Sequence, residues 1–380
     1  MLGGIRPFFC PADMRIIGRN NHTALITSVN ILKLSRANNN KIIGDTKMRL
    51  IAVALTLFSF AFAAEGKELP EKTFCIFDPV GANGPIFTRM QDFRTAALEW
   101  GIEAELKAYT NEAVALADFQ SGVCDGSLIT GTRIRPFNVF TGSLEAVGGL
   151  TSYQQLRELI NMLARPQAAK YMVDGRYEVS GIIPGGSVYV FVRDRAIDSV
   201  EAAAGRKVAT LDYDLASKKV VEHIGATMVP ATVATFAPRF NNGDVDIAYA
   251  PAVAYEPFEM YKGLGQAGGI YRFSFAQMNF QLITYKDRLP DGFGQASREF
   301  FAEHFDQGME HILTAERGIQ ENYWIDLPDE QELEYLDMLA GIRDELAAQG
   351  VYDTQMMKLM KKLRCRANPM HHECATDLLF

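Results

Sequence analysis

No apolar run in this 380-residue chain is long enough to cross a membrane as a helix. The nearest approach, LIAVALTLFSFAFAA at residues 50–64, falls short of the roughly 20 residues that a bilayer core requires. Lys47 and Arg49 precede it, and Ala61-Phe62-Ala63 closes it. A charged start, a short apolar middle and a small-residue exit are the parts of a secretory signal peptide. Residues 48–63 read as that peptide, with Met48 as the natural start and residues 1–47 as a non-native upstream extension. Export of this kind implies an oxidising compartment.

Positive charge is also scarce. With 38 Lys and Arg against 46 Asp and Glu, the net charge is −8, and a duplex nucleic-acid partner, which needs a basic face, is excluded. The one basic cluster, residues 358–366, reads as the solvated side of a C-terminal helix. Catalytic signatures are missing too: there is no G-x-S-x-G, no H-E-x-x-H and no G-x-x-x-x-G-K-[ST]. Gly81-x-x-Gly84 is not a dinucleotide fingerprint. His223 sits near a helix end, where a cation is unremarkable. His304 and His311 lie seven apart on an expected C-terminal helix, without metal spacing. No catalytic residue, cofactor or metal is expected, and the chain does not read as an enzyme.

Cysteine is sparse and even. Cys10 falls in the discarded leader, leaving Cys75, Cys124, Cys365 and Cys374. Four cysteines in an oxidising compartment suggest two disulfides with three connectivities. A 75–124 bridge suits neighbouring strands of a 2-1-3 sheet, and 365–374 would then staple the C-terminal tail. A metal site from His371, His372 and these cysteines fits no standard zinc spacing.

The informative stretch is residues 205–249. Residues 207–211 form an apolar, β-branched strand. Ala216, Val220, Val221 and Ile224 then recur at helical spacing until Gly225. Residues 227–229 form a strand stopped by Pro230, Thr235 can cap a helical turn, and residues 245–249 form a last strand. A faint copy lies upstream: Phe119, Gly122 and Asp125 match Phe240, Gly243 and Asp246 in spacing. Two α/β units of one design suggest two similar lobes with a cleft between them.

Elsewhere, residues 74–78, 102–108 and 127–130 are strands of a first βαβαβ unit, with a helix over residues 86–100 and another capped by Asn111. Residues 131–142 read as a long loop. Residues 179–183 and 188–192 read as strands flanking a Pro-Gly-Gly turn, residues 252–261 as a helix, and residues 270–275 and 280–285 as strands. Residues 330–349 are a helix with Leu333, Leu336, Leu339, Ile342 and Leu346 on one face. The expected fold is α/β, with two lobes and a helical C-terminal region. Residues 70–182 plus 282–310 make lobe I, residues 183–281 lobe II, and residues 311–380 helices packing on both.

In such sheets ligands sit beyond the carboxyl ends of the strands. Asn83 and Gly84 there expose backbone amides at a helix N-terminus, a usual anion site. Arg133 and Arg135, two apart on extended chain, would project to one side and grip a carboxylate or phosphate. Tyr213, Tyr249 and Tyr255 could cover the apolar part of a ligand. Gln277, Asn279 and Gln281 alternate along one strand face and could give polar contacts. Asp212 could meet a ligand amine, whereas Asp214 reads as a helix cap.

The segments SVEAAAGRKVATLDYD, IGATMVPATVATFAPRFNNGDVDIAYAPA, FQSGVCDGSLIT and LITYKDRLPDGF resemble, in order and spacing, the solute-binding subunits of TRAP (tripartite ATP-independent periplasmic) transporters. TRIRPFNVFTGS is similar to a narrower group of solute-binding proteins, some labelled as components of aminoglycoside-resistance efflux. The efflux label gains nothing from this sequence, which has no membrane bundle. The resemblance implies capture of a small polar, anionic solute by hinge closure through strands near residues 182–190 and 280–285. It also implies a two-lobe fold like a periplasmic binding protein, the periplasm of a Gram-negative envelope, a monomer, and a membrane permease as a further partner. The family's usual carboxylate-gripping arginine follows Lys207-Val208, but Ala209 and Thr210 stand there, so either Arg133 or Arg135 replaces it or the ligand is not a simple organic acid. An exported hydrolase and an envelope adaptor are the alternative readings of the same scaffold.

Overall fold

The computed structural model describes residues 68–370 and 372–374. The signal peptide, the upstream extension and His371 lie outside the described residues. The first α/β unit runs β1 (Glu71–Phe77), α1 (Pro85–Ala97), β2 (Glu103–Tyr109), α2 (Glu112–Gln120) and β3 (Gly126–Thr130). Next come α3 (Gly131–Ile134), α4 (Val139–Gly142), α5 (Tyr153–Leu163), β4 (Val173–Asp174) and the long β5 (Tyr177–Val192). After α6 (Val200–Ala203), the second unit follows as β6 (Lys207–Leu211), α7 (Leu215–His223), β7 (Thr227–Ala231), α8 (Phe236–Asn242) and β8 (Ile247–Pro251). The chain returns through α9 (Tyr261–Leu264), β9 (Gly269–Tyr271) and β10 (Ala276–Tyr285). It finishes with α10 (Phe293–Glu303), α11 (Phe305–Gly318), β11 (Trp324–Ile325), α12 (Asp329–Ala348) and α13 (Thr354–Ala367).

One sheet runs through both units in the order β2-β1-β3-β10-β5-β8-β6-β7. Each flank is a parallel triplet in 2-1-3 order, and the antiparallel pair β10–β5 joins them. The sequence copy is a structural copy. Gly122 and Gly243 both have φ near +81°, the left-handed conformation that closes a helix cheaply only at glycine. Three residues later the aspartates do the same work: Asp125 accepts the Thr73 N–H at 3.0 Å, and Asp246 accepts the Lys207 N–H at 2.9 Å. Each locks the start of its unit's first strand to the third.

Several local expectations change. Residues 179–183 and 188–192 belong to one strand, β5. Pro184-Gly185-Gly186 is a kink within it, with Gly186 at φ +108° and a register shift opposite at Met278/Asn279. Pro230 does not stop β7 but lies inside it; β7 is an edge strand, so the missing N–H is not needed for a neighbour. Residues 252–261 hold only a single turn at Ala252–Ala254 before α9 begins. Residues 131–142 are not a loop but contain α3 and α4. His304 lies between α10 and α11 rather than on one helix with His311. On α12, Leu339, Ile342 and Leu346 are buried, but Leu333 is exposed.

Packing explains where the C-terminal helices sit. Phe93 of α1 stacks on Phe301 of α10 at 5.5 Å and meets Phe74 of β1 edge-on at 5.3 Å. Such aromatic pairs add to the area they bury, so α10 covers the first unit. The cysteines pair as 75 with 124, joining β1 to the start of β3, and 365 with 374, with Cα separations of 5.9 Å and 5.6 Å. Inside the second loop, Glu373 bonds Arg364 and accepts from Arg343 Nη2 at 3.1 Å. Burial raises the Glu373 carboxyl, but the hydrogen bond and charge of Arg364, backed by Arg343, outweigh it and hold the pKa at about 2.

A carboxylate held below its ordinary value of 4.5 stabilises the fold above that pH, and the contribution fades as the pH falls towards 2. Melting temperatures measured across this window should therefore fall more steeply for the parent chain than for Glu373→Gln. Parallel curves would remove this clamp from the account of the tail.

Candidate functional site

Between the two parallel triplets lies a cavity of about 300 Å3. Its walls come from the carboxyl ends of β1, β3, β6 and β8, its base from β5 and β10, and one side from α11. Ligands in open α/β sheets bind at this position. Most of the lining is apolar, with Phe77, Ile183, Val188, Leu211, Phe236 and Phe258 among it.

Three acids reach the wall, and each is already occupied. Asp78, fully buried at the end of β1, accepts the N–H groups of Val80, Ile86 and Phe87 at 2.9, 2.9 and 3.0 Å. Ile86 and Phe87 open α1, the helix N-terminus that the sequence offers to an external anion through Asn83 and Gly84; the Gly84 N–H itself goes to the Gly81 carbonyl at 2.9 Å. The protein's own carboxylate fills that place, at about 1.5–3 kcal/mol per charge-assisted bond, so a solute would not displace it. Gly84 permits this approach: a Cβ there would stand 2.0 Å from the Asp78 carboxylate. Glu145 accepts from the amides of Gly131, Thr132 and Asn279 at 3.2, 2.7 and 2.8 Å, and from the Thr132 hydroxyl at 2.5 Å. Burial pushes its pKa up against those bonds and the nearby Arg135. Asp214 caps α7, accepting the Ala216 and Ser217 amides.

The two arginines part company. Both lie on helical backbone, where residues i and i+2 face roughly opposite ways, about 200° apart; the shared projection expected of extended chain is lost. Arg133 Nε donates to Glu112 at 2.8 Å, and its guanidinium lies 3.7 Å from the centre of the Tyr213 ring. Glu112 also holds the Thr130 amide and hydroxyl and receives the Tyr213 hydroxyl at 3.4 Å. Burial lifts the Tyr213 phenol well above its usual range, with Glu112 adding and Arg133 opposing. Only 1% of the Glu112 side chain is exposed. Losing Arg133 would strand that charge, at a cost of about 3–5 kcal/mol. Arg133 is thus a brace from the first unit to the second, outside the cavity lining. Arg135 does line the cavity; its Nε donates to the Gly142 carbonyl at 3.0 Å, and its Nη1 stands 3.9 Å from Asp214.

Of the other sequence candidates, Tyr213 and Tyr249 line the cavity. Tyr249 is anchored, donating to Ser217 Oγ at 2.7 Å and accepting the Leu211 amide at 3.2 Å. Asn83 and Asp212 are exposed and outside the lining, and Gly84 is buried against Asp78. Tyr255 is buried in a separate aromatic cluster with Tyr261 and Tyr323. Gln277, Asn279 and Gln281 are fully buried, tied to Ser187, Ser274 and Thr141, and also lie outside the lining. Sequence reasoning missed Arg89 and His311, both in the wall. Arg89 donates to the His304 carbonyl at 3.3 Å. Burial lowers its pKa, and Asp92 and Glu310 oppose that. Its position on α1 at the carboxyl end of β1 was the available signal.

No helix among the described residues is long and apolar enough to cross a membrane. A TRAP periplasmic solute-binding protein from Desulfovibrio salexigens, solved with bound orotic acid, superposes with a TM-score of 0.63 at 13% identity, over 78% of this chain and 99% of that one. Another from Bradyrhizobium, in complex with galacturonate, gives 0.64 at 14% identity, over 77% and 99%. These likenesses show the two-lobe fold. The Acinetobacter baumannii protein named "Probable solute-binding protein AdeT1" is 42% identical over 302 residues, 80% of this chain and 99% of its own length. The family described as Solute-binding protein AdeT 1/2 matches residues 89–378. The chain belongs to this family of solute-binding proteins.

Proposed function

We propose that the protein, exported to the periplasm, captures a small organic acid with a largely apolar body, without altering it, and delivers it to a membrane permease. The carrying observation is the supply of hydrogen-bond donors on the cavity wall. Asp78 and Glu145 each accept at least three of the protein's own donors and Asp214 accepts two amides, whereas Arg135 and Arg89 each spend one N–H on a carbonyl. Their remaining donors suit a carboxylate. Ala209 lines the cavity where the related transporters' arginine is expected, and it cannot serve; Arg135 takes that part. Orotic acid and galacturonate, held by the structural neighbours, share the carboxylate on more polar bodies.

Residues 70–182 with 282–310 would move as one lobe and residues 183–281 as the other. Bending would occur in β5 and β10, at the kink of Pro184-Gly185-Gly186, where the ladder already breaks register. The brace of Arg133, Glu112 and Tyr213 closes the far side.

Thermal-shift measurements on the mature chain should show stabilisation by monocarboxylates with aromatic or alkyl bodies and not by the matching amides. A bound solute at 100 times its Kd adds about 2.7 kcal/mol. Arg135→Gln should weaken the best acid about 10- to 100-fold, the scale of a charge-assisted hydrogen bond. Equal response to acids and amides, or an unchanged Arg135→Gln, would sink the anionic reading. For export, intact mass of the protein from a periplasmic extract should fit a chain beginning at Ala64; an uncut chain would contradict it.

A further inference from the structure

A second, smaller cavity lies directly behind the first. Its volume is about 90 Å3, and it sits between the β6–β8 side of the sheet and α12, with α6 and α7 closing its flank. Val208, Val220, Ile224, Ile247, Phe273 and Met338 are among its apolar walls. Of the hydroxyl-bearing residues that line it, Tyr249 bonds Ser217, Ser217 the Asp214 carbonyl and Tyr271 the Ile197 carbonyl, and Ser199 accepts the Ala202 amide; Tyr335 completes the set. A buried water needs two to four polar partners, and apolar cavities stay dry; this chamber suits hydrocarbon.

Tyr249 and Phe275 line both cavities, so these two rings, 6.1 Å apart, are the partition. They are not equally fixed. Tyr249 is held through its hydroxyl at both Ser217 and Leu211. Phe275 is fastened by its backbone alone, to Val188 and Gly148, and its half-buried ring has no polar tether. A turn of the Phe275 ring would join the chambers, with Tyr249 as the fixed jamb. Arg135 stands beside Asp214, whose charge also acts on Tyr249, so the candidate head-group site and the partition are close neighbours.

We propose that the solute site continues past Phe275 into this rear chamber, and that the solutes it favours are carboxylates bearing a flexible, unbranched alkyl arm. The inference rests on the organic-acid reading above. A methylene fills about the volume of one water, roughly 30 Å3, so the rear chamber takes about three. Each buried methylene tightens binding about fourfold.

The test is titration calorimetry of the mature chain with straight-chain alkanoates of increasing length. Affinity should climb, pause where the front cavity is full, and then climb again. Ala203→Leu and Ile224→Phe fill the rear chamber from residues that do not line the front one. Either should leave short acids unchanged and weaken the longest about 15- to 60-fold. Phe275→Ala should remove the pause. If the length profile of the parent matches that of both filled variants, or affinity stops rising once the front cavity is full, the rear chamber plays no part. If short and long acids alike fail to bind the parent, the organic-acid reading falls, and this inference with it.

Discussion

Ten paired positions between β5 and β10 hold the molecule together. Each strand gives its other edge to one parallel triplet, β10 to β3 and β5 to β8. Neither triplet touches the other through the sheet except by this antiparallel pair. Its interior is polar where most strand cores are greasy: Ser180 bonds Thr284 at 2.7 Å, and Gln277 bonds Ser187 at 2.7 Å. Buried polar groups of this kind are costly when unpaired, so they fix the register of the two strands while the kink at Gly186 leaves them able to bend. A clamshell needs that combination. The halves must not separate, and their angle must not be rigid.

The cavity's chemistry follows from what the walls have already used. An acid that ends a strand in an α/β sheet has helix amides within reach, and Asp78 takes them. The site that binds anions in many such folds is thereby closed to a solute, and the attraction passes to side-chain cations. Arg135 and Arg89, the two arginines on the wall, both stand in the first unit rather than on β6. The rest of the wall is apolar, which sets the scale of binding by buried area rather than by number of hydrogen bonds.

Much of the architecture was legible in the residues. Phe119-x-x-Gly122-x-x-Asp125 and its copy at Phe240, Gly243 and Asp246 specify a helix end, a left-handed glycine and a carboxylate that locks two strand starts; each step is local. The two βαβαβ units and the cap at Asn111 have the same character. The β5 kink was misread as a turn because Pro-Gly-Gly looks the same in both, and only the continuous pairing with β10 distinguishes them.

The site divides along the same line. Sequence alone pointed to a cleft facing the carboxyl ends of two strand triplets and offered Arg133 and Arg135 to it, because helix and strand signals act over a few residues. Tertiary structure decided which arginine faces the cleft. A helical rather than extended backbone at residues 131–135 sends Arg133 to Glu112 and leaves Arg135 at the cavity. It likewise decided that Gln277 and Asn279 are interior braces, since an alternating polar row reads identically whether water, a solute or a neighbouring strand covers it. Which of these lies opposite depends on contacts between residues more than a hundred positions apart, such as Asn279 with Glu145 and Gln281 with Thr141, and no local pattern encodes them.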